Sequence, residues 1–453
     1  MKPPLWGIDV RSIDRDEQIY TNNPDMLLTP ASTQKVITLA VASQALGWDD
    51  RFETTLFTNG HIERNVLHGD LIVKGSGDPT IDTDVLSSWV DKLRMQGIHR
   101  VTGNIIGDDR ITVGQDLQRR GTPSPPPLGF GWSWDDLAFG FAAPVGPLQY
   151  RENVVAIQVT PSRTVNAPAE LTIQTAGSGL NFINQVSTAS GTEPSLIQLR
   201  RVANTPNLVV SGSISLGSRA IVRSVSVANP TSFFVQAFHA ALEANGVVVL
   251  GDAVDIDQLS ETHRHSATNE LYALLTIQSE PLSTIAIDMM KRSQNLFAES
   301  IYRRLGFSFN DSSSAIVAQL LADWGIQRNR AIVVDGSGLS RYNYLTASAL
   351  TDILVRLYQN EVDQTRFLPT LPIANEDGTL RNRFGGTASA GNALAKTGSM
   401  SHVRALAGYV TTADGEQLAF SILANNYSAD PTDVVAAIDA FVSALATMSR
   451  GDS

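Results

Sequence analysis

The sequence predicts a multidomain α/β protein in which one α/β unit is interrupted by a large β-rich insertion. Three observations predict it. At 453 residues the chain is too long for one ordinary core, given roughly 100–200 residues per domain. Helix-period apolar patterns gather before residue 65 and after residue 271. Between them, short alternating runs rich in Gly, Pro and Thr dominate. The expected division is therefore 1–65 and 271–453 as two halves of one unit. Residues 66–270 form the insertion, expected as two nested smaller domains.

The elements follow in chain order. Leu5 to Arg11 and Gln18 to Tyr20 predict two short strands around the turn Asp14-Arg15-Asp16. A helix follows, with Thr29 as its N-cap, Pro30 at the first helical position and Gly47 as its stop. Its residues Val36 to Leu46 are apolar nearly all round, which predicts burial in the middle of a domain. In the insertion, Val154 to Val159, Leu171 to Thr175, Leu196 to Val202, Leu208 to Ile214 and Ile221 to Val227 predict strands. Gly121 to Gly131, with four prolines, predicts a loop. One helix runs from Asn229-Pro230 to Asn245-Gly246. Beyond 270, helices are expected at Leu282 to Met290, Leu296 to Leu305, Ser314 to Trp324 and Ala347 to Gln359. Strands at Ala393 to Lys396, Arg404 to Val410 and Gln417 to Leu423 follow, then a last helix from Pro431 to Met448.

Composition narrows the function. A hydrophobic content of 43% with 17% charged residues fits a folded globular chain and argues against disorder. The net charge of −11, without a basic tract, disfavours nucleic acid as a partner. The absence of cysteine excludes disulfides, thiol catalysis and cysteine-bound metals. No segment has the length and apolarity of a transmembrane helix. The start, Met1-Lys2-Pro3-Pro4, carries no apolar run of signal-peptide length and leads straight into a strand. Either the protein is cytoplasmic or this is a mature form without its leader; the abrupt strand favours the second.

The most informative local feature is Ser32-Thr33-Gln34-Lys35. Residues three apart on a helix share a face, so the lysine amine lies beside the serine hydroxyl. An amine there can take the hydroxyl proton and make a nucleophile without histidine. Burial among Val36, Ile37 and Leu39 would lower the lysine pKa toward the range of a useful base. The Ser32 N–H, early in the helix, can also act as an oxyanion donor. Only six residues are lysine, Lys2, Lys35, Lys74, Lys92, Lys291 and Lys396, so lysines in suggestive places carry weight. By itself the pair is more simply a polar first turn with a snorkelling lysine.

Two further motifs change the balance. Ser293-Gln294-Asn295 falls between two helices, where a hydroxyl and an amide can face one cleft. Lys396-Thr397-Gly398 ends a strand-like run. There the lysine supplies a positive field, Thr397 and Ser399 hydroxyls can grip a carboxylate, and glycine permits close approach. Taken singly, a helix cap and a strand end explain them better. Together, in this order, they form the set found in β-lactamases and penicillin-binding proteins.

The chain resembles that superfamily. Within it, the chain is similar to the penicillin-binding protein 4-like D-alanyl-D-alanine carboxypeptidase/endopeptidases, the low-molecular-mass class C penicillin-binding proteins. A spacing of 261 residues from Ser32 to Ser293 supports this branch, which carries a large insertion there. Longer stretches match as well: Trp6 to Arg11, Gly75 to Thr80, Trp132 to Leu137, Asp335 to Ser340 and Leu406 to Tyr409. The resemblance implies a β-lactamase/transpeptidase-like domain with helices on an antiparallel sheet. It implies an extracytoplasmic or periplasmic enzyme without cofactor or metal, acting on peptidoglycan stem peptides and acylated by β-lactams. Ser32 would be acylated and Lys35 would deprotonate it. Ser293 would pass the proton on, Lys396 would set the field, and Asn295 would hold the substrate amide. The N–H groups of Ser32 and Ser399 would form the oxyanion hole, with Thr397, Gly398 and Ser399 at the substrate carboxylate. Asp136 (or its neighbour Asp135), Arg341 and Met400 would line a side-chain pocket. A β-lactamase or esterase on the same site, or a non-catalytic binding protein, remain as alternatives.

Weaker signals point elsewhere. His263-x-His265 is expected in a solvated loop rather than at a metal. Gly336 and Gly338 lack a following Gly-Lys-Ser/Thr, so a turn is expected there rather than a phosphate loop. Trp132 and Trp134 are expected in core or inter-domain packing, with pocket lining as the lesser reading.

Overall fold

The computed structural model describes residues 2–110, 127–173, 177–309 and 311–450. The chain divides into two compact units, Met1–Arg51 with Glu280–Ser453, and Phe52–Ser279. The boundaries expected at 65/66 and 270/271 thus move to 51/52 and 279/280. The reason is a strand pair: Glu53–Thr58 and Tyr272–Gln278 bond to each other in the sheet of the inserted unit.

The split unit is built on five strands: β1 (Leu5–Ser12), β2 (Glu17–Asn22), β3 (Leu394–Met400), β4 (Val403–Thr411) and β5 (Gln417–Asn425). They form one antiparallel sheet in the order β2-β1-β5-β4-β3. The first strand is therefore internal to the sheet, paired with the last, which is central, from Leu5↔Asn425 to Ser12↔Leu418. Strand alternation sends Ile8, Val10, Leu406, Val410, Leu418, Phe420 and Ile422 to one core. Covering that core is the C-terminal helix Pro431–Thr447, through Val434, Ile438, Val442 and Leu445. It starts where expected, with the Asp430 side chain accepting from the Thr432 N–H.

On the opposite side lie α1 (Gln34–Ala45), α2 (Leu282–Lys291), α3 (Asn295–Phe309) and a helix at Ala347–Gln359. Every residue of α1 from Gln34 to Ser43 is buried, as its all-round apolarity predicts. Its start differs from expectation. Ala31–Thr33 form a 3₁₀ turn before the α-helix, and Pro30 rather than Thr29 occupies the cap position. Thr29 is held through its backbone instead: its N–H donates to Asn425 Oδ1 at 2.9 Å, and its carbonyl accepts from Asn425 Nδ2 at 3.1 Å.

The inserted unit carries more helix than its sequence suggests. Besides Pro230–Ala244, a helix at Thr83–Met95 packs Trp89 against Phe234 and Phe238. Its five-stranded mixed sheet runs Ala253–Asp255, Ile105–Asp108, Leu71–Gly75, Glu53–Thr58, Tyr272–Gln278. Two three-stranded sheets come from residues 154–226, inside that outer group in sequence, and one hydrophobic cluster runs through both groups. Residues 121–126 of the expected proline loop, and the end of the strand expected at Leu171 to Thr175, lie outside the described residues. His263 and His265 fall in a short helix, Glu261–Thr268, rather than a loop. Two positions apart on a helix they point away from each other, which removes the metal pair. Trp134 is half exposed and Trp132 only partly buried, so Trp134 is not a core residue.

Candidate active site

The three motifs meet in the split unit. Ser32 lies in the 3₁₀ turn and reaches the surface while its neighbours Ala31 and Thr33 are buried. Ala31 is held at φ 48°, a left-handed conformation that costs a non-glycine residue about 1–2 kcal/mol. Three residues on, at the start of α1, Lys35 is fully buried. Its ammonium donates to Ser32 Oγ at 2.9 Å, to Asn295 Oδ1 at 2.7 Å and to the Ser337 carbonyl at 2.7 Å. Burial lowers its pKa to about 7, against the opposing pull of the Asp335 and Glu299 charges.

Ser293 sits between α2 and α3 at φ 59°, again left-handed, and partly exposed. Asn295 opens α3, which explains why its amide is presented at the helix edge. Lys396 comes from the middle of β3 and is fully buried. It donates to Ser293 Oγ at 2.8 Å and to the Thr397 carbonyl at 2.9 Å. Its pKa falls well below the usual lysine value, first by burial and then by repulsion from Lys35.

Strand β3 passes tightly over the nucleophile turn. A Cβ on Gly398 would stand 2.7 Å from the Pro30 carbonyl oxygen and 3.2 Å from the Ser32 nitrogen. Only glycine allows that approach without a shift. Thr397 Oγ1 bonds Thr379 Oγ1 at 2.8 Å, and Ser399 is exposed. These hydroxyls, with Ser32, Ser293 and Asn295, are the solvent-facing groups above a buried pair of lysines.

Ser32, Lys35 and Asn295 are thus joined directly, and Ser293 is joined to Lys396. The pocket residues are less connected. Arg341 is exposed on the loop after Gly338. Met400 ends β3, its carbonyl accepting from Arg404 Nη1 at 2.9 Å. Asp136 belongs to the inserted unit, in the 3₁₀ turn Trp134–Asp136. The Ser337 carbonyl, Thr38, Glu299 and Asp335 around Lys35 carry no motif of their own. The Asp335 to Ser340 stretch was legible as a matching segment and as a turn, but not as a partner of the lysine.

A hydroxyl beside a buried amine that releases its proton near neutrality, with a second serine–lysine pair behind it, defines a serine acyl-transfer hydrolase of the penicillin-binding kind. The chain belongs to the D-Ala-D-Ala carboxypeptidase 3 (S13) family, whose model matches residues 2–446. It is 30% identical over 443 residues to the D-alanyl-D-alanine carboxypeptidase DacB of Haemophilus influenzae, covering 93% of this chain and 85% of the relative. It is also 30% identical over 438 residues to a D-alanyl-D-alanine carboxypeptidase of an Actinomadura species, covering 93% and 78%. The crystal structure of penicillin binding protein 4 from Haemophilus influenzae superposes with a TM-score of 0.85 at 27% identity, over 99% of this chain and 98% of that one. The same protein complexed with a novel β-lactam gives 0.80 at 26% identity, over 98% and 97%. The protein is accordingly a serine-type D-alanyl-D-alanine peptidase.

Proposed function

We propose that this peptidase cleaves the D-alanyl-D-alanine bond of peptidoglycan stem peptides through an acyl-enzyme at Ser32. Neutral Lys35 takes the proton from Ser32 Oγ as the oxygen attacks the penultimate carbonyl carbon. The N–H groups of Ser32 and Ser399 receive the oxyanion. The C–N bond then breaks, and the amine departs with a proton relayed through Ser293, whose hydroxyl Lys396 holds. Water attacks the ester, the same lysine accepting its proton, and the stem peptide leaves one residue shorter. Where the departing amine belongs to a neighbouring stem, the same steps open a cross-link. Thr397 and Ser399 grip the terminal carboxylate beside the Lys396 field, and Asn295 holds the substrate amide. A β-lactam enters the same first half and stays as a slow ester. Such a substrate places the protein outside the cytoplasm, at the cell wall. Among the described residues no helix is long and apolar enough to cross a membrane.

The single observation that carries this proposal is the 2.9 Å bond from buried Lys35 to partly exposed Ser32. Intact-mass measurement after incubation with benzylpenicillin is the test. Wild type gains one penicillin in a long-lived adduct and Ser32→Ala gains none; an adduct that survives the substitution sinks the assignment. Wild type incubated with pentapeptide muropeptides releases one D-alanine per stem.

A further inference from the structure

Lys35 rests on a loop as well as on the catalytic serine. The segment Asp335 to Ser340 is tied together by one buried carboxylate. Asp335 Oδ1 accepts from the Gly338 N–H at 2.9 Å and from Asn343 Nδ2 at 2.7 Å. Its Oδ2 accepts from Ser337 Oγ at 3.1 Å and the Ser340 N–H at 2.9 Å. The loop is pinned from two further sides. Glu299 Oε2 of α3 accepts from the Gly336 N–H at 2.8 Å, and Thr38 Oγ1 of α1 donates to the Gly336 carbonyl at 2.6 Å.

Both glycines are seated without slack. A Cβ on Gly336 would lie 2.4 Å from the Ala298 carbonyl oxygen, and one on Gly338 would lie 2.0 Å from that of Ala31. Gly338 is also left-handed, at φ 81°. The loop is therefore wedged between α3 and the residue immediately before the nucleophile. From that seat the Ser337 carbonyl meets the Lys35 ammonium at 2.7 Å.

We propose that Asp335, supported by Glu299, is the positioning residue of Lys35. It shapes the loop that aims the amine at Ser32, and its negative charge tunes how readily the amine gives up its proton. The geometry supplies the first half. The second follows from charge: Asp335 and Glu299, in that order, oppose the effect of burial on Lys35. The other charged or titratable groups packed around this centre are Lys396, which feels the Lys35 charge, Arg303, paired with Glu299 at 3.2 Å, and Tyr302. Without the carboxylates a buried lysine beside Lys396 would lose its proton too early to be a strong base. Without Lys35's burial the same carboxylates would keep it protonated. The balance lets the amine accept the serine proton and hand it on near neutral pH.

This inference rests on Ser32 acylation, and the experiment separates the two. The acylation rate by benzylpenicillin is followed by intact mass across mildly acidic to alkaline pH, for wild type, Asp335→Asn, Glu299→Gln and Thr38→Val. The rising limb reports deprotonation of Lys35. Removing a nearby anion disfavours the ammonium, so the midpoint in Asp335→Asn should fall by on the order of one pH unit. Glu299→Gln should move it the same way by less. Thr38→Val loosens the same loop without changing charge; it should lower the plateau and leave the midpoint in place. The two charge variants are independent, so one that fails to fold leaves the other to decide. A midpoint unmoved in a folded charge variant, or moved equally by Thr38→Val, overturns the assignment of Asp335. No acylation in wild type would instead overturn the reaction at Ser32.

Discussion

Lys396 donates a hydrogen bond to Ser293 Oγ at 2.8 Å, repeating almost atom for atom the 2.9 Å bond from Lys35 to Ser32. The two pairs stand close enough for the Lys35 charge to resist protonation of Lys396, and both amines are cut off from water. Two buried amines that are reluctant to be charged, each holding one hydroxyl, suit a site that must lift a proton from one oxygen and deliver it elsewhere.

The pH profile of acylation should reflect this. Lys35, lowered to about 7, works only when neutral, so the rate should rise through that pH and level off above it. Stability follows the same residue with a definite sign. Between about 7 and the ordinary lysine value of 10.5 the unfolded chain holds a proton that the folded lysine has released. Stability should therefore increase with pH through that window, since the cost of a buried charge is full below it and absent above it. Rates by intact mass and melting temperatures measured across one buffer series check both.

Lys396→Met should trade function for stability. The substitution keeps the volume, removes a buried amine that is costly to protonate and ends its repulsion with Lys35. A gain of about 1–2 kcal/mol is expected, with an acylation rate lowered by roughly 10²-fold or more. Thermal unfolding and penicillin labelling of one preparation give both numbers.

Gly398→Ala should damage the site from the strand side. The added methyl meets the Pro30 carbonyl oxygen at 2.7 Å, so β3 or the nucleophile turn must move. A loss of about 1–3 kcal/mol and a marked drop in labelling are expected. A variant with wild-type labelling would show that the strand has room that the geometry denies.

Asn425→Ala should act from a distance. It removes both bonds that fix the Thr29 backbone, three residues before the nucleophile. The expected cost is about 1–3 kcal/mol, since a peptide group is left poorly satisfied. Acylation should slow more than substrate release changes, because what is loosened is the aim of Ser32. Denaturant unfolding with acylation kinetics tests it.

Much of this was legible beforehand because it is local. Ser32 and Lys35 are one helical turn apart, and Ser293 with Asn295 marks a helix break; neither needs tertiary information. Lysine scarcity sharpened both Lys35 and Lys396. The parts that were missed are those supplied from afar. Thr29 has the side chain of a cap, yet the Asn425 amide from β5 claims its backbone first. Glu299 looks like any polar helix residue until the fold turns it onto the Gly336 N–H. Glu53–Thr58 reads as an end of the first half because its partner, Tyr272–Gln278, lies more than two hundred residues away. Trp134 was expected in core or inter-domain packing, and its half-exposure removes the core reading.

The pairing of β1 with β5 has a consequence in time. Ser32 and β1 are made well before Lys396 and the strand that locks β1 in place. The site cannot assemble from either segment of the split unit alone, because the Ser32–Lys35 pair comes from one and the Ser293–Lys396 pair from the other. A nascent chain that has not reached β3 carries Ser32 without the Lys396–Ser293 pair. The order of the sequence thus acts as a safety catch, released only when β3 has joined the sheet.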